Sequence, residues 1–290
     1  MTISFYDKLT CAWNNNSSLV CVGLDSDPLK LPQHLAGEKQ RIFKFNRAII
    51  DATADLVCAY KPNIAFYSGT SAEEELILTI GYLKDTYPNI PIILDSKRGD
   101  IGNTAELYAQ ESYEKYGADA VTVSPYMGSD SLEPFLKYTD RGVIVLCRTS
   151  NPGAKDLQDL LVGDTPLYLR VAELAATQWN TNNNIGLVVG ATVPDELSRI
   201  RAAVGDNIPF LVPGIGAQGG DLSRVVRSGI NSLGTGLIIN SSRGIIFASS
   251  GKDFAEAARK ETTRLRAEIV EAKESQTKDT DIGLLRGVSR

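Results

Sequence analysis

Ile90-Pro91-Ile92-Ile93-Leu94-Asp95-Ser96-Lys97-Arg98-Gly99-Asp100 changes character halfway along its length, from an apolar run to alternating charges. A continuous apolar run is the pattern of a strand buried on both faces. The strand period of two places Asp95 and Lys97 on one face at its end. The following Asp100-Ile101-Gly102-Asn103-Thr104 reads as a helix start, with Asp100 as N-cap and Thr104 one turn later on the same face. Strand, polar turn and helix make one βα unit.

Outward from this unit, the pattern recurs eight times. The expected strands are Ser18 to Leu24, Val57 to Tyr60, Ile90 to Leu94, Ala118 to Val123, Gly142 to Cys147, Ile185 to Val189, Phe210 to Val212 and Ser232 to Gly234. Helices are marked by periodicities such as Ile42, Phe45, Ile49 and Ala52, and by starts such as Pro194-Asp195-Glu196. Alternating βα units predict a parallel sheet of the α/β class, and eight of them favour a closed (β/α)8 TIM barrel over an open doubly wound sheet. No GxGxxG follows the first strand, which argues against the dinucleotide-binding version of the open sheet. No linker divides the chain, so residues 1–290 are expected to form a single catalytic domain. Asn151 to Asp164 is the longest insertion, and 275–290 form a C-terminal tail whose Ile282 to Leu285 is apolar.

Hydrophobic residues make up 43% and charged residues 22% of the 290, near the average for globular chains. Thirty basic against thirty-five acidic residues give a net charge of −5 with no basic block, which argues against nucleic acid as a partner. No apolar run reaches the roughly 20 residues needed to span a bilayer, and no secretory leader is recognisable, so a cytoplasmic protein is expected. Cys11, Cys21, Cys58 and Cys147 form no CxxC pair, and the last three read as buried free thiols. His34, the only histidine, lies in a Pro-rich loop without partners at metal-ligand spacing, so neither a metal site nor a histidine-based triad is expected.

Charges recur at other strand ends: Asp25 closes Val20-Cys21-Val22-Gly23-Leu24, and Lys61 closes Leu56-Val57-Cys58-Ala59-Tyr60. Charges so near a core are costly unless paired, so Asp25, Lys61, Asp95, Lys97 and Asp100 are read as one alternating network, either a structural ion cluster or an active site. Strand C-termini are where (β/α)8 enzymes build their sites. The glycine-rich segments Pro213-Gly214-Ile215-Gly216-Ala217-Gln218-Gly219-Gly220 and Gly234-Thr235-Gly236, with Arg243 just beyond, suit phosphate binding by backbone N–H groups and a guanidinium.

Asp95-x-Lys97-x-x-Asp100-Ile101-x-x-Thr104 resembles the signature of the orotidine 5'-phosphate decarboxylase family. Gly23-Leu24-Asp25, Lys61-Pro62-Asn63, Arg148-Thr149-Ser150-Asn151, Pro213-Gly214-Ile215 with Gln218, and Arg243 follow in the matching order over nearly the whole chain. The long stretch from Arg148 to Asp164 is similar to the family's longer branch. The resemblance implies a carboxy-lyase that converts orotidine 5'-phosphate to UMP and CO2 in pyrimidine biosynthesis, without metal or cofactor. It implies a catalytic set of Lys97, Asp95, Lys61 and Asp100, with Lys97 as proton donor to C6. Asp25, Lys61 and Asn63 are assigned to the ribose, Thr149 or Ser150 to the pyrimidine, Gln218 and Arg243 to the phosphate, and Pro213 to the substrate pocket. It also implies a homodimer in which Asp100, Ile101 and Thr104 serve the neighbour's pocket. The alternative within the same superfamily is a sugar-phosphate enzyme that uses the DxKxxD element with Mg2+.

Overall fold

The computed structural model describes residues 3–215 and 221–287, with side chains described as far as residue 275. Eight parallel strands form the central sheet: β1 Val20–Leu24, β2 Ala59–Pro62, β3 Ile93–Arg98, β4 Ala120–Val123, β5 Gly142–Arg148, β6 Ile185–Val189, β7 Phe210–Pro213 and β8 Leu237–Ser241. Each pairs with its neighbours in chain order, and β8 pairs back onto β1. Between β2 and β3 the ladder is reduced to two parallel bridges, Tyr60 with Ile92 and Asn63 with Asp95. These bring the sheet's edges together, so the arrangement is the (β/α)8 barrel and not the open sheet. Every residue of β1, β2, β4, β6 and β8 is buried, as helices on the outside and packed side chains inside require.

Three strand positions differ from the sequence reading. The eighth strand is Leu237–Ser241 and not Ser232 to Gly234, which instead forms a tight turn. Asn231 makes that turn: its Oδ1 accepts from the N–H groups of Leu233 at 3.1 Å and Thr235 at 2.9 Å. Gly234 and Gly236, at φ +73° and +86°, then bring the chain back into the sheet. The second strand starts at Ala59, placing Lys61 inside the sheet, and the third extends to Arg98.

The helix Arg41–Thr53 buries Ile42, Phe45 and Ile49 as its periodicity requires, with Ala52 half-buried, and Pro194–Val204 begins at its proline. Phe45 is stacked between Phe247 and Phe254, at centroid distances of 5.6 and 5.1 Å, which fixes the final helix, Phe254–Gly287, to the barrel. The backbone of the expected tail continues this helix to Gly287; the packing of Ile282 to Leu285 lies outside the described side chains. The insertion after β5 has structure of its own, a 3-10 turn Pro152–Asp156 and a two-stranded hairpin of Leu161–Val162 with Thr165–Pro166. Cys21, Cys58 and Cys147 are buried free thiols, Cys11 is an exposed one, and His34 is exposed. Among the described residues no helix is long and apolar enough to cross a membrane.

The strands' N-terminal ends are sealed by a helix that the sequence reading did not place, Phe5–Asn15. Tyr6 donates to the carbonyl of Ile185, Trp13 donates to that of Leu237 at 3.0 Å, and Lys8 pairs with Asp119 at 2.8 Å. Beside it, buried Arg201 donates to the carbonyls of Gly229, Gly205, Ile208 and Gly236 at 2.8–3.1 Å and lies 3.8 Å from the Phe210 ring centroid. Arg201→Met takes a donor from four carbonyls, of which only that of Gly236 keeps another among the described residues, Phe210 N, and is expected to cost on the order of 3 kcal/mol. Urea unfolding of the two proteins measures the difference.

Candidate active site

At the opposite, C-terminal end of the strands, four charges from three adjacent strands meet. Lys61, on β2, is 3% exposed, and its Nζ lies 3.0 Å from Asp95 Oδ2 and 3.9 Å from Asp25 Oδ1. Asp95, on β3, is 8% exposed, and its Oδ1 accepts from Lys97 Nζ at 2.6 Å and from Thr122 Oγ1 at 2.9 Å. The order along the cluster is Asp25, Lys61, Asp95, Lys97, so each charge sits beside one of opposite sign. Lys97 reaches its place by a break in the strand: its φ is +48°, a left-handed value rare for a side-chain-bearing residue. Asp95 and Lys97 therefore meet through a bulge and not through the simple alternation that the sequence suggests.

Burial is the largest influence on the Asp95 carboxyl and pushes its pKa up, but attraction to Lys61 and Lys97 outweighs it and holds the group well below the usual carboxylate range. For Lys61, burial pushes the other way, and Asp95 followed by Asp25 overcomes it, so the ammonium titrates above the ordinary lysine value. Both remain charged at neutral pH.

The cluster forms the floor of two adjoining cavities that share Lys61, Asp95 and Pro213. The wider one, about 430 Å3, has Lys97 on its floor, is walled by Leu146, Val188 and Leu211 and is rimmed by Thr149, Ser150 and Asn151. The narrower one, about 150 Å3, is bounded by Asp25, Gly214, Asn240, Ser242 and Arg243. Two buried acceptors at this narrow end, Asp25 Oδ1 and Asn240 Oδ1, have no hydrogen-bond partner among the described residues. Gly23 is required here, since a Cβ at that position would fall 1.9 Å from Ser242 Oγ.

The rim is organised by Arg148 and Gln158. Arg148, nearly buried, donates to the Thr149 carbonyl at 2.8 Å and pairs with Asp159 at 3.2 Å. Gln158 accepts from Thr149 N at 2.8 Å and donates to Thr149 Oγ1 at 2.8 Å, which commits the Thr149 side chain to the loop. Ser150 packs so closely on Gly190 that a Cβ there would lie 2.8 Å from the serine Cβ.

The structure thus brings together Asp25, Lys61, Asp95, Lys97, Thr149, Ser150, Pro213 and Arg243. Asn63 is half-buried, and its Oδ1 accepts from Ala65 N at 3.1 Å, a local turn. Asp100 is not a helix N-cap: the helix begins at Gly102, Ile101 occupies the cap position, and the Asp100 carboxylate accepts from Ile101 N at 2.8 Å. The chain needs the extra residues to leave the left-handed Lys97 and turn at Gly102, whose φ is +55°. Asp100, Ile101 and Thr104 line neither cavity, and Gln218 lies outside the described residues. The sequence reading missed Thr122, Gln158 and Asn240. Only Asn240 carried a signal, a carboxamide ending the apolar run Leu237-Ile238-Ile239.

Lys61→Met leaves the Asp95 carboxylate buried with one cation fewer and is expected to cost roughly 3 kcal/mol near pH 7. In the parent, the depressed Asp95 pKa contributes stability that is present above its unfolded value of about 3.9 and lost as pH falls toward the native value. Removing Lys61 raises the native value, so the defect should shrink as pH drops from 7 to about 3.5, below the unfolded value. Urea unfolding at both pH values checks the sign.

Comparison with known proteins agrees with the barrel fold. Residues 18–260 match the family model described as Orotidine 5'-phosphate decarboxylase / HUMPS family. The chain is 58% identical over 267 residues to an orotidine 5'-phosphate decarboxylase of Cupriavidus necator, covering 92% of this chain and 98% of the relative. It is 56% identical over 269 residues to one of Cellvibrio japonicus, again covering 92% and 98%. Among solved structures, an OMP decarboxylase of Leishmania donovani superimposes with a TM-score of 0.80 at 41% identity, covering 93% of this chain and 99% of that one.

Proposed function

The chain belongs to the orotidine 5'-phosphate decarboxylase / HUMPS family, and from that membership we propose that it converts orotidine 5'-phosphate to UMP and CO2. The observation that carries this reading is the alternating row Asp25, Lys61, Asp95, Lys97 under a cavity with apolar walls.

Loss of CO2 from C6 of the pyrimidine breaks the C6–carboxylate bond and leaves its electron pair on C6, with no adjacent carbonyl to spread the charge. The barrier to be removed is on the order of 20 kcal/mol. Lys97, half-exposed at the floor of the wider cavity, supplies an ammonium to stabilise the developing carbanion and then gives its proton to C6, regaining one from solvent. This assigns the work to a fixed charge and needs no electron sink. Asp95 faces the departing carboxylate: a like-charge contact at about 4 Å costs roughly 4 kcal/mol at an effective dielectric of about 20 and is relieved as neutral CO2 leaves. That is a minor share of the total. Lys61 keeps Asp95 ionised and in place.

The ring fits the wider cavity, against Leu146, Val188 and Leu211, with Ser150 at its edge. The ribose hydroxyls suit the unpartnered acceptors Asp25 Oδ1 and Asn240 Oδ1, and the phosphate suits the narrow end beside Gly214, Ser242 and Arg243. Gln218 belongs to the same phosphate side by resemblance. Asp100, Ile101 and Thr104 stand outside their own barrel's pocket. Ile101 is 53% exposed, on the connection after β3, and Tyr126 and Met127 are exposed on the connection after the neighbouring β4. An apolar, outward-facing rim of this kind supports a homodimer in which the three residues enter the partner's site.

Pure protein with chelator should consume orotidine 5'-phosphate, followed by the fall in its ultraviolet absorbance. Activity abolished by the chelator would point instead to a Mg2+-dependent member of the superfamily. Lys97→Ala should remove turnover almost entirely, whereas Arg243→Ala should lower kcat/KM and leave the chemistry intact. Mixing and re-equilibrating inactive Lys97→Ala and Asp100→Ala dimers tests the shared site. Each hybrid dimer then carries both lesions in one site and none in the other, and about a quarter of the parent activity should return. No recovery would place Asp100 in its own barrel.

A further inference from the structure

We infer that Thr122 is a positioning residue of this site, holding β3 out of register with β4 so that Lys97 and Asp95 are presented together; the inference rests on the decarboxylase reading and deepens it. The two strands pair regularly from Ile93 with Ala120 to Leu94 with Val121, and the next pair is Arg98 with Val123. β3 therefore advances from Leu94 to Arg98 while β4 advances only from Val121 to Val123. Such a bulge leaves backbone N–H groups without ladder partners, and bulges beside active sites re-aim side chains. Thr122, the β4 residue at that gap, is 1% exposed and replaces the missing acceptors: its Oγ1 accepts from Ser96 N at 3.0 Å and from Lys97 N at 2.9 Å.

A hydroxyl has two lone pairs and one hydrogen. Both lone pairs are engaged by the two backbone N–H groups, so the hydrogen has one direction left, toward Asp95 Oδ1 at 2.9 Å. One side chain thereby fixes three things at once: the backbone of Ser96, the left-handed backbone of Lys97, and the oxygen of Asp95 that also receives the Lys97 ammonium at 2.6 Å. Valine, of the same shape, would strand two N–H groups and leave that oxygen with the Lys97 ammonium alone. Serine would keep all three bonds.

The test is steady-state kinetics of T122V and T122S on orotidine 5'-phosphate, with UMP binding by calorimetry as a check on the folded pocket. T122V should lose on the order of 100-fold in kcat, the scale of a misplaced catalytic group. KM and UMP affinity should stay within about threefold of the parent, because substrate contacts remain. T122S should restore kcat to within about threefold of the parent. Parent-like kcat in T122V, or equal losses in T122V and T122S, would overturn the role of the hydroxyl. Should T122V fail to fold, T122C takes its place, serine-sized with a weakly hydrogen-bonding sulfur; kcat equal to that of T122S would then overturn it. A parent protein that does not decarboxylate the nucleotide at all would instead overturn the functional reading.

Discussion

The carboxylate of Asp95, shared between the ammonium groups of Lys61 and Lys97, is the interaction on which the rest of the structure depends. Its backbone is equally committed. The Asp95 carbonyl accepts from Ile64 N at 3.2 Å, and the residue bridges to Asn63 at the seam between β2 and β3. The barrel's weakest join and its densest charge are thus the same residue. An alternating row is the arrangement that permits this. Each charge taken from water is met by an opposite one within 4 Å, and the hydroxyl of Thr122 takes up a further acceptor site on the carboxylate.

Such a site is expensive, and the expense is met elsewhere in the fold. Buried ion clusters seldom add net stability, and a left-handed non-glycine residue costs roughly 1–3 kcal/mol. At the opposite end of the barrel the polar side chains hold the backbone together. There Trp13, Tyr6 and Arg201 donate to strand-start and loop carbonyls. Stability concentrated at the N-terminal face and chemistry at the C-terminal face is the division of labour that a (β/α)8 barrel permits.

The same division decided what the sequence could disclose. Strands buried on both faces announce themselves as apolar runs, and an Asp or Lys at the end of such a run is conspicuous because burial makes it costly; Asp25, Lys61, Asp95 and Lys97 were legible for that reason. Residues whose roles are set by local backbone geometry were not. Asn63 and Asp100 have the right chemistry for a pocket, yet their side chains close turns on Ala65 N and Ile101 N. Ser232 to Gly234 was mistaken for a strand because its turn is made by the side chain of Asn231, which resembles any polar loop residue in sequence. Thr122 was invisible for the opposite reason: threonine in Ala120-Val121-Thr122-Val123 is an ordinary β-former, and only the broken register of β3 gives its hydroxyl something to do.

The two cavities divide the electrostatic work along the same lines. Leu146, Val188 and Leu211 give the wider cavity apolar walls, so in the proposed reaction the field of Lys97 would be less screened there than in bulk water. Arg243 stands exposed at the mouth of the narrower cavity, where an anion keeps part of its hydration and can leave. The buried cation of the row is Lys61, which faces Asp95 and Asp25, whereas Lys97 and Arg243, both exposed, are the cations a ligand can reach. The placement of each cation, more than their number, is what suits this pocket to the proposed decarboxylation.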